Sequence, residues 1–372
     1  MLRDLRILGF RGLRQLTMSG LGRVNLLVGT NNCGKTSVLE AMSLLSARGT
    51  AAWLWQVQSR RVEFVEHAER QLDVAQIIHG RELAVEHRFW IFGRDTDGSY
   101  HKMSGFFVVS DMTFKDVEDD DGSDEVTTPA ALTEPLVLQL EWRQGPSLET
   151  VELPIATVRL PITRSGGVHD RRMLTTRDPT AADARRPVFF IPTDGLTREQ
   201  VVSMFERIVL TPDEATVLRA VRTIEPTIER IASIGTQARR GGRGGRGGLA
   251  MMVSGHRVPV GSMGDGLWRL LGVALAMVQA RGGVPLIDEI DTGLHYSVLV
   301  DMWRLVLETA RSLDVQVFAT THSRDCYEAL AAVAEPGRTE ISLQRIERGR
   351  VEAIAFTELE IRQAAERGLE VR

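Results

Sequence analysis

The stretch Gly29-Thr30-Asn31-Asn32-Cys33-Gly34-Lys35-Thr36 decides the fold, because it matches the phosphate-loop pattern G-x-x-x-x-G-K-[ST] between a strand and a helix. Residues 23–28 are a short apolar run typical of a strand, and residues 37–45 have helical spacing. The two glycines let backbone N–H groups curl around a phosphate at the start of the helix. Lys35 is expected to reach the β- and γ-phosphates, and the Thr36 hydroxyl to ligate Mg²⁺. The sequence therefore predicts a nucleoside triphosphate site.

The composition limits the class of protein. The chain has 372 residues, of which 43% are hydrophobic, enough for one large domain or two modest ones with a real core. A net charge of −4 gives no global attraction to nucleic acid or membranes. The charged N-terminus predicts no secretory leader, and the longest apolar stretch is too short to span a bilayer. With two cysteines far apart in the chain, we expect a soluble, cytoplasmic protein with no membrane partner.

Two apolar strands that end in polar residues follow late in the chain. Residues 284–289 read Val-Pro-Leu-Ile-Asp-Glu, which beside a phosphate loop is typical of a Walker B motif. Asp288 is expected to hold Mg²⁺ through water, and Glu289 to act as general base for the attacking water. Residues 315–323 read as another apolar strand, with His322 at its carboxyl end. Because ligands of open α/β sheets gather at the carboxyl ends of the strands, His322 is expected to face the γ-phosphate.

A second anion-binding helix start is predicted ahead of Walker B. The residues Val-Gly-Ser-Met-Gly-Asp-Gly at 260–266 lead directly into an apolar helix at 267–277. Ser262 would supply a hydroxyl and Gly264 a backbone amide at the N-terminus of that helix. The order along the chain is therefore a phosphate loop, a long insertion, a second anion site, a two-acid strand and a histidine strand.

This order resembles the ABC-type ATPase heads of the SMC and RecF class. It is most similar to the ATPase part of the overcoming-lysogenization-defect (OLD) nucleases and their stand-alone relatives, often labelled AAA15 or AAA21. The likeness covers residues 1–50, including a first strand at 7–13, and about 250–325, and the interior more loosely. The signature segment departs from Leu-Ser-Gly-Gly-Gln at Met263 and Asp265, and Gly293-Leu294-His295 resembles the D-loop with histidine in place of aspartate.

The resemblance implies a set of site residues. The catalytic residues would be Lys35, Glu289 and the switch histidine His322. ATP would contact Gly29, Asn31, Asn32, Cys33, Gly34, Lys35, Thr36, Ser37, Ser262, Gly264 and Asp265. Mg²⁺ would be bound by Thr36, Asp288 and Gln76, with Gln76 preferred to Gln139 as the glutamine-loop residue. Cys33 is interpreted as a filler of the loop rather than as a reactive thiol.

The expected fold class is α/β. It is an ABC-type ATPase head, with a phosphate-loop core in a mixed sheet and an antiparallel subdomain, carrying a short helical insertion. Residues 1–196 and 250–372 would form the discontinuous head, and residues 197–249 the insertion. Within the insertion, residues 197–235 are spaced as two or three short helices, and the Arg/Gly-rich residues 239–248 favour a flexible loop over a nucleic-acid contact.

The rest of the head is predicted mainly as strands. Residues 83–92, 106–109 and 136–142 have strand character, and residues 116–125 are an acidic run expected to form a solvated loop. A terminal hairpin is expected over residues 341–356, followed by a helix from Glu358.

The resemblance also implies a function. It predicts a Mg²⁺-dependent ATPase that dimerises around ATP, as a homodimer or higher homo-oligomer, and regulates a separately encoded effector, a nuclease or toxin, in antiphage defence. About fifty residues follow His322, so no Toprim nuclease domain is expected within them. Two alternatives remain open: a RecF- or SMC-like repair ATPase that binds DNA directly, and a scaffold that binds ATP with little turnover. DNA binding by the chain itself is expected to be weak.

Overall fold

The computed structural model describes residues 1–48, 50–65, 68–110, 132, 134–146, 154–169, 186–234, 248–335, 337–338 and 340–368. Strands β1 to β9 are Leu2–Phe10, Leu13–Met18, Val24–Val28, Phe64–Val65, Ala68–Asp73, Arg88–Asp95, Tyr100–Val109, Leu136–Gly145 and Ala156–Pro161. Strands β10 to β18 are Gly167–His169, Val188–Ile191, Ile228–Ile234, Gly248–Val253, His256–Pro259, Val284–Ile287, Val317–Thr320, Ile341–Arg345 and Ile354–Phe356. Helices α1 to α8 are Lys35–Ser46, Ala51–Arg60, Arg198–Ile208, Pro212–Arg222, Asp265–Gln279, Leu299–Ser312, Arg324–Val333 and Glu358–Glu366.

The chain divides into two compact units. The first comprises Met1–Gly20, Asn31–Arg186 and Ile346–Ile354, and the second comprises Leu21–Thr30, Pro187–Arg345 and Ala355–Arg372. The segment 197–249, predicted as a separate insertion, falls inside the second unit.

The first unit is built on a six-stranded antiparallel sheet of order β2-β1-β6-β7-β8-β9. Its strands alternate buried and exposed residues, as a sheet with one covered face requires. Helix α1 packs against β1, β6 and β7. Phe10 and Phe89 meet edge to face at 5.3 Å between ring centroids. Gly105 lies opposite, where a Cβ would come within 2.2 Å of the Phe89 ring, so the close packing requires glycine.

The second unit is built on a sheet of order β11-β15-β16-β3-β17-β18. The strands from β11 to β17 in that order are parallel, and β3, β15 and β16 are buried along their whole length. Continuous apolar strands of this kind are expected in a parallel sheet covered on both faces. Helix α5 packs against β11 and β15 and against α3, α4 and α6, which closes the core of this unit.

The predicted α/β class, with a phosphate-loop strand in one sheet and a separate antiparallel sheet, is confirmed. The strand predictions are confirmed in β7 and β8, and β6 begins at Arg88 rather than near residue 83. The terminal prediction is confirmed in part: β17 and β18 are neighbours in the sheet, and α8 begins at Glu358. The acidic run at 116–125 and the arginines at 239–246 lie outside the described residues. No helix in the described ranges is long and apolar enough to cross a membrane.

One helix prediction is wrong. Residues 197–222 contain the expected helices α3 and α4, but Ile228–Ile234 is strand β12, paired antiparallel with β13. The register of that pair shifts between Ile228 and Arg230, as at a β-bulge. A bulge adds one residue to the alternation, so Ile228 and Ile231 both face the core although they are three positions apart. A spacing of three residues between apolar positions is also typical of a helix, which is why this segment was predicted as one.

Candidate functional site

Parallel strands of the second unit end at one edge of its sheet, and polar residues follow them there. Thr193 follows β11, Asp288 and Glu289 follow β15, and His322 comes after β16. Strand β3, the neighbour of β16, leads into Gly29 at the start of the phosphate loop. Ligands of such sheets bind beyond the carboxyl ends of the strands, so this edge is the candidate site.

Asp288 is held by two hydroxyl groups. Thr320 Oγ1 donates to its Oδ1 at 2.6 Å, and Thr193 Oγ1 donates to its Oδ2 at 3.1 Å, while the residue is only 6% exposed. Its backbone N–H donates to Ile191 O at 2.9 Å, which fixes the end of β15 to the end of β11. No group of three or more His, Cys, Asp or Glu that could hold a metal occurs among the residues described. A single carboxylate among hydroxyls fits Mg²⁺ that arrives with a nucleotide, because Mg²⁺ takes one or two carboxylates plus substrate phosphates.

Glu289 is held at its backbone and at its side chain. Its backbone has φ 49°, a left-handed conformation that non-glycine residues rarely adopt. Its N–H donates to Thr320 Oγ1 at 2.8 Å, and its carboxylate Oε2 lies 2.7 Å from His322 Nδ1. The Glu289 side chain is 14% exposed and that of His322 63% exposed. The structure thus joins the predicted general base and the predicted switch histidine directly.

Arg269 was missed by the sequence analysis. It lies in the second turn of α5 and is 6% exposed. Its guanidinium donates to Pro192 O at 3.1 Å, Asp288 O at 2.6 Å and Glu289 O at 2.7 Å. Burial lowers the pKa of the Arg269 guanidinium. Several carboxylates oppose that change, and Asp288 has the largest effect among them. An arginine inside an apolar helix was the one signal in the sequence, because such a charge must find buried partners.

The predicted signature residues form the exposed start of α5. Gly264 has φ 87°, and none of the described side chains caps the helix that begins at Asp265. The first N–H groups of α5 are therefore open to an anion, together with the exposed Ser262. A Cβ at Gly266 would lie 2.9 Å from Gly293 O, so the start of α5 is packed closely against the predicted D-loop.

The phosphate loop joins β3 to α1, and the division between the two units falls within it, after Thr30. Gly29, Asn32 and Gly34 have φ of 144°, 60° and 106°. The φ of 106° at Gly34 favours glycine, and a Cβ there would also lie 2.6 Å from the terminal methyl of Leu13, which would have to move. The remaining residues predicted to contact the nucleotide differ in exposure. Asn31 is exposed and Thr36 is half-buried, whereas Cys33, Lys35 and Ser37 are buried.

A cleft of about 870 Å³ lies in the first unit beside its part of the loop. Its walls include loop residues 32–34 and six arginines: Arg11, Arg14, Arg61, Arg81, Arg348 and Arg350. Within the described ranges, Glu40 of α1 forms ion pairs with Arg11 at 2.7 Å and Arg61 at 2.6 Å. Burial raises the pKa of Glu40, and the two guanidinium groups oppose that rise. Glu63 and Glu347 also line the cleft, where they pair with Arg11 and Arg350, so its described charged residues give it only a modest excess of positive charge.

The two candidate glutamines are in different surroundings. Gln76 lies in a short 3₁₀ turn, Val74–Ile77, on the wall of this cleft, where its amide donates to Asp73 at 2.7 Å. Gln139 lies on β8, where its amide donates to Glu141 at 2.7 Å. At the sheet edge of the second unit, the residue after β11 that contacts Asp288 is Thr193 rather than a glutamine. The role of Gln76 at a metal stays a prediction.

Two family models match the two ends of the chain that carry the motifs. Residues 1–123 match a model described as "AAA ATPase domain", and residues 252–325 match one described as "AAA domain, putative AbiEii toxin, Type IV TA system". Both matches support an ATPase of the AAA type, in line with the motifs.

Individual proteins are similar at lower levels. An "ATP/GTP phosphatase" of Helicobacter pylori is 22% identical over 355 residues, covering 90% of this chain and 88% of that protein. "Uncharacterized protein MJECL10" of Methanocaldococcus jannaschii is 45% identical over 49 residues, covering 13% of this chain and 22% of that protein. Among solved structures, "Crystal structure of the SmcHead bound to the C-winged helix domain of ScpA" has a TM-score of 0.47 at 13% identity, covering 96% of this chain and 97% of that one.

Proposed function

We propose that this protein is a Mg²⁺-dependent ATPase that closes as a homodimer, or a higher homo-oligomer, around ATP and so regulates a separately encoded effector. One observation carries the hydrolytic part of the proposal. The Glu289 carboxylate lies 2.7 Å from His322 Nδ1, at the sheet edge where Asp288 sits and the phosphate loop begins.

The chemistry assigns one task to each side chain. Lys35 and the loop amides would bind the β- and γ-phosphates, and Thr36 and Asp288 would hold Mg²⁺, which would neutralise charge on the phosphates. His322 Nδ1 donates its proton to Glu289 Oε2, a contact that fixes the histidine tautomer. The other carboxylate oxygen is then left to accept a proton from the attacking water, as general-base catalysis requires.

Dimerisation is supported by the exposed start of α5. Ser262, Gly264 and Asp265 are exposed, and the first turn of the helix has no side-chain cap from a described residue. This start would cap the triphosphate bound by a second copy, so that hydrolysis separates the pair. By resemblance, the effector is a Toprim-like nuclease or a toxin, and the setting is antiphage defence.

The test is a comparison of two lysine substitutions in the first unit. Lys35→Ala should weaken ATP binding by at least about 100-fold, because a charge-assisted contact worth about 3 kcal/mol is lost. Lys102→Ala, on β7, should change the affinity by less than about twofold. Calorimetry measures binding, and phosphate release measures turnover with and without Mg²⁺. Near-native ATP affinity in folded Lys35→Ala protein contradicts the proposal.

The effector needs a separate experiment. Co-purification of the native protein and of Glu289→Gln with the products of neighbouring genes, with ATP present, should recover a nuclease or toxin preferentially with the trapped variant. Recovery of duplex DNA in place of a protein partner supports the repair alternative. Binding of ATP without measurable turnover supports the scaffold alternative.

A further inference from the structure

Arg269 is a buried cation in an otherwise apolar helix. Its neighbours Leu267, Leu270 and Leu271 are all buried, and its own exposure is 6%. A guanidinium in such a place is costly unless its donors are satisfied. Its terminal nitrogens donate three hydrogen bonds to backbone carbonyls, whereas its buried Nε has no partner among the described residues, and it forms no ion pair within 4.0 Å with a described carboxylate. The side chain is therefore arranged to hold backbone rather than to neutralise a partner.

The carbonyls that Arg269 contacts belong to the two loops that surround the candidate base. One is Pro192, just after β11, and the others are Asp288 and Glu289, just after β15. Gly195, in the loop after β11, has φ 82°, and a Cβ there would be in ordinary van der Waals contact with the guanidinium Nη1, at 3.5 Å. The guanidinium thus fixes the separation of these two loops.

The backbone of Glu289 needs such restraint. A non-glycine residue in the left-handed region is strained, and it keeps that conformation only when its surroundings hold it there. At Glu289 the N–H is held by Thr320 and the carbonyl by Arg269. Loss of either bond lets the peptide relax toward a commoner conformation, which would move the carboxylate.

Resting on the proposed ATPase function, we infer that Arg269 is a positioning residue that ties the start of α5 to the carboxylate of Glu289. Gly264 and Asp265 begin this helix one turn before Arg269. A helix moves as a rigid body over so short a length. Any shift of the exposed helix start, such as contact with a second triphosphate, is therefore transmitted to the Glu289 peptide through the guanidinium.

The kinetic test separates positioning from binding. Arg269→Gln should leave ATP affinity within about threefold and lower kcat by about 100-fold, the cost of misplacing a group by about 1 Å. Arg269→Lys should have a kcat about tenfold higher than Arg269→Gln, because an ammonium can still donate to some of the carbonyls. Arg281→Gln, beyond the C-terminus of the same helix, is the control and should match the native protein. An equal loss of kcat in both Arg269 variants, or a loss confined to affinity, overturns the inference.

A double-mutant cycle shows whether Arg269 acts through Glu289. In a Glu289→Gln background, Arg269→Gln should lower the residual kcat by less than about twofold, because the group that it positions is already gone. A further loss of about 100-fold means that Arg269 acts independently, and it overturns the inference.

Hydrogen exchange provides a readout that does not depend on turnover. The amides of Asp288, Glu289 and Ile290 donate to Ile191 O, Thr320 Oγ1 and Thr320 O. Arg269→Gln, or Arg269→Lys if the former does not fold, should raise their exchange about tenfold while the amides at 271–279 stay protected. Unchanged exchange overturns the inference even in an active enzyme. Lack of hydrolysis by the native protein contradicts the proposed function instead, and the exchange result then decides the inference alone.

Discussion

Replacement of Thr320 by valine should destabilise the second unit by about 2–3 kcal/mol. The hydroxyl donates to Asp288 Oδ1 at 2.6 Å and accepts from Glu289 N–H at 2.8 Å, and Thr320 is 0% exposed. A bond to an ionised group contributes about 2 kcal/mol, and a buried N–H left without a partner costs about 2 kcal/mol. Relaxation of Glu289 from its left-handed conformation returns about 1–2 kcal/mol. The two losses together are about 4 kcal/mol, and subtracting the gain from relaxation leaves the expected destabilisation of about 2–3 kcal/mol.

The matched control is Thr309→Val in helix α6. Thr309 is 3% exposed, and its hydroxyl forms no hydrogen bond with any residue in the described part of the chain. The same change of shape should therefore cost less than about 1 kcal/mol. Urea unfolding followed by tryptophan fluorescence and by circular dichroism measures both variants, with coincident transitions as the condition for converting midpoints to free energies.

Two results would refute this reasoning. If Thr320→Val and Thr309→Val differ by less than about 0.5 kcal/mol, the hydroxyl does not support the Walker B loop. If Thr320→Val is strongly destabilised but retains native kcat, the hydroxyl contributes stability alone and the position of Glu289 does not depend on it.

The remaining predictions concern assembly, thiol chemistry and nucleic acid. Glu289→Gln keeps the size of the side chain but removes the base, so light scattering should find an ATP-bound dimer with turnover lost; monomers alone would remove the support for closure around ATP. Burial, aided by the Asp291 carboxylate, raises the pKa of the Cys326 thiol well above its usual range. Iodoacetamide should therefore modify Cys326 only after unfolding, as mass spectrometry of the native and denatured protein checks. Direct DNA binding should be weak at physiological salt and should depend on the arginines at 239–246, because each phosphate contact contributes about 0.9 to the log–log salt slope. Serine at those arginines should flatten the slope with ATP turnover unchanged, whereas tight, salt-resistant duplex binding that survives the change contradicts this view. The variant carries substitutions at Arg239, Arg240, Arg243 and Arg246.

The motifs could be predicted because their chemistry is local. The phosphate loop is recognised by its glycines and a lysine at fixed spacing. The Walker B strand is recognised by an apolar run that ends in two acids. The order of the strands then places Asp288 and His322 at one edge, since β15 and β16 are parallel neighbours. The contact of 2.7 Å between Glu289 Oε2 and His322 Nδ1 was seen only in the structure.

The support of the site could not be predicted, because it is made by groups without a pattern. Arg269 binds carbonyl oxygens, which every residue possesses, so no sequence signal marks its partners. Thr193 and Thr320 come together only because β11 and β16 flank β15, and the pairing of β11 was not specified by any motif. At β12 the bulge shifted the alternation and gave the apolar residues a helical spacing.

The position of β3 in its sheet has a consequence for synthesis of the chain. This wholly buried strand lies between β16 and β17, and Asn25 and Val317 are 292 positions apart along the chain. At about 5–20 residues per second, a ribosome needs about 15–60 seconds to make the first neighbour after β3 has emerged. During that interval an apolar strand with two unpaired edges is exposed to aggregation. The strand that leads into the phosphate loop is thus one of the first to be synthesised. It is one of the last to have neighbours on both sides.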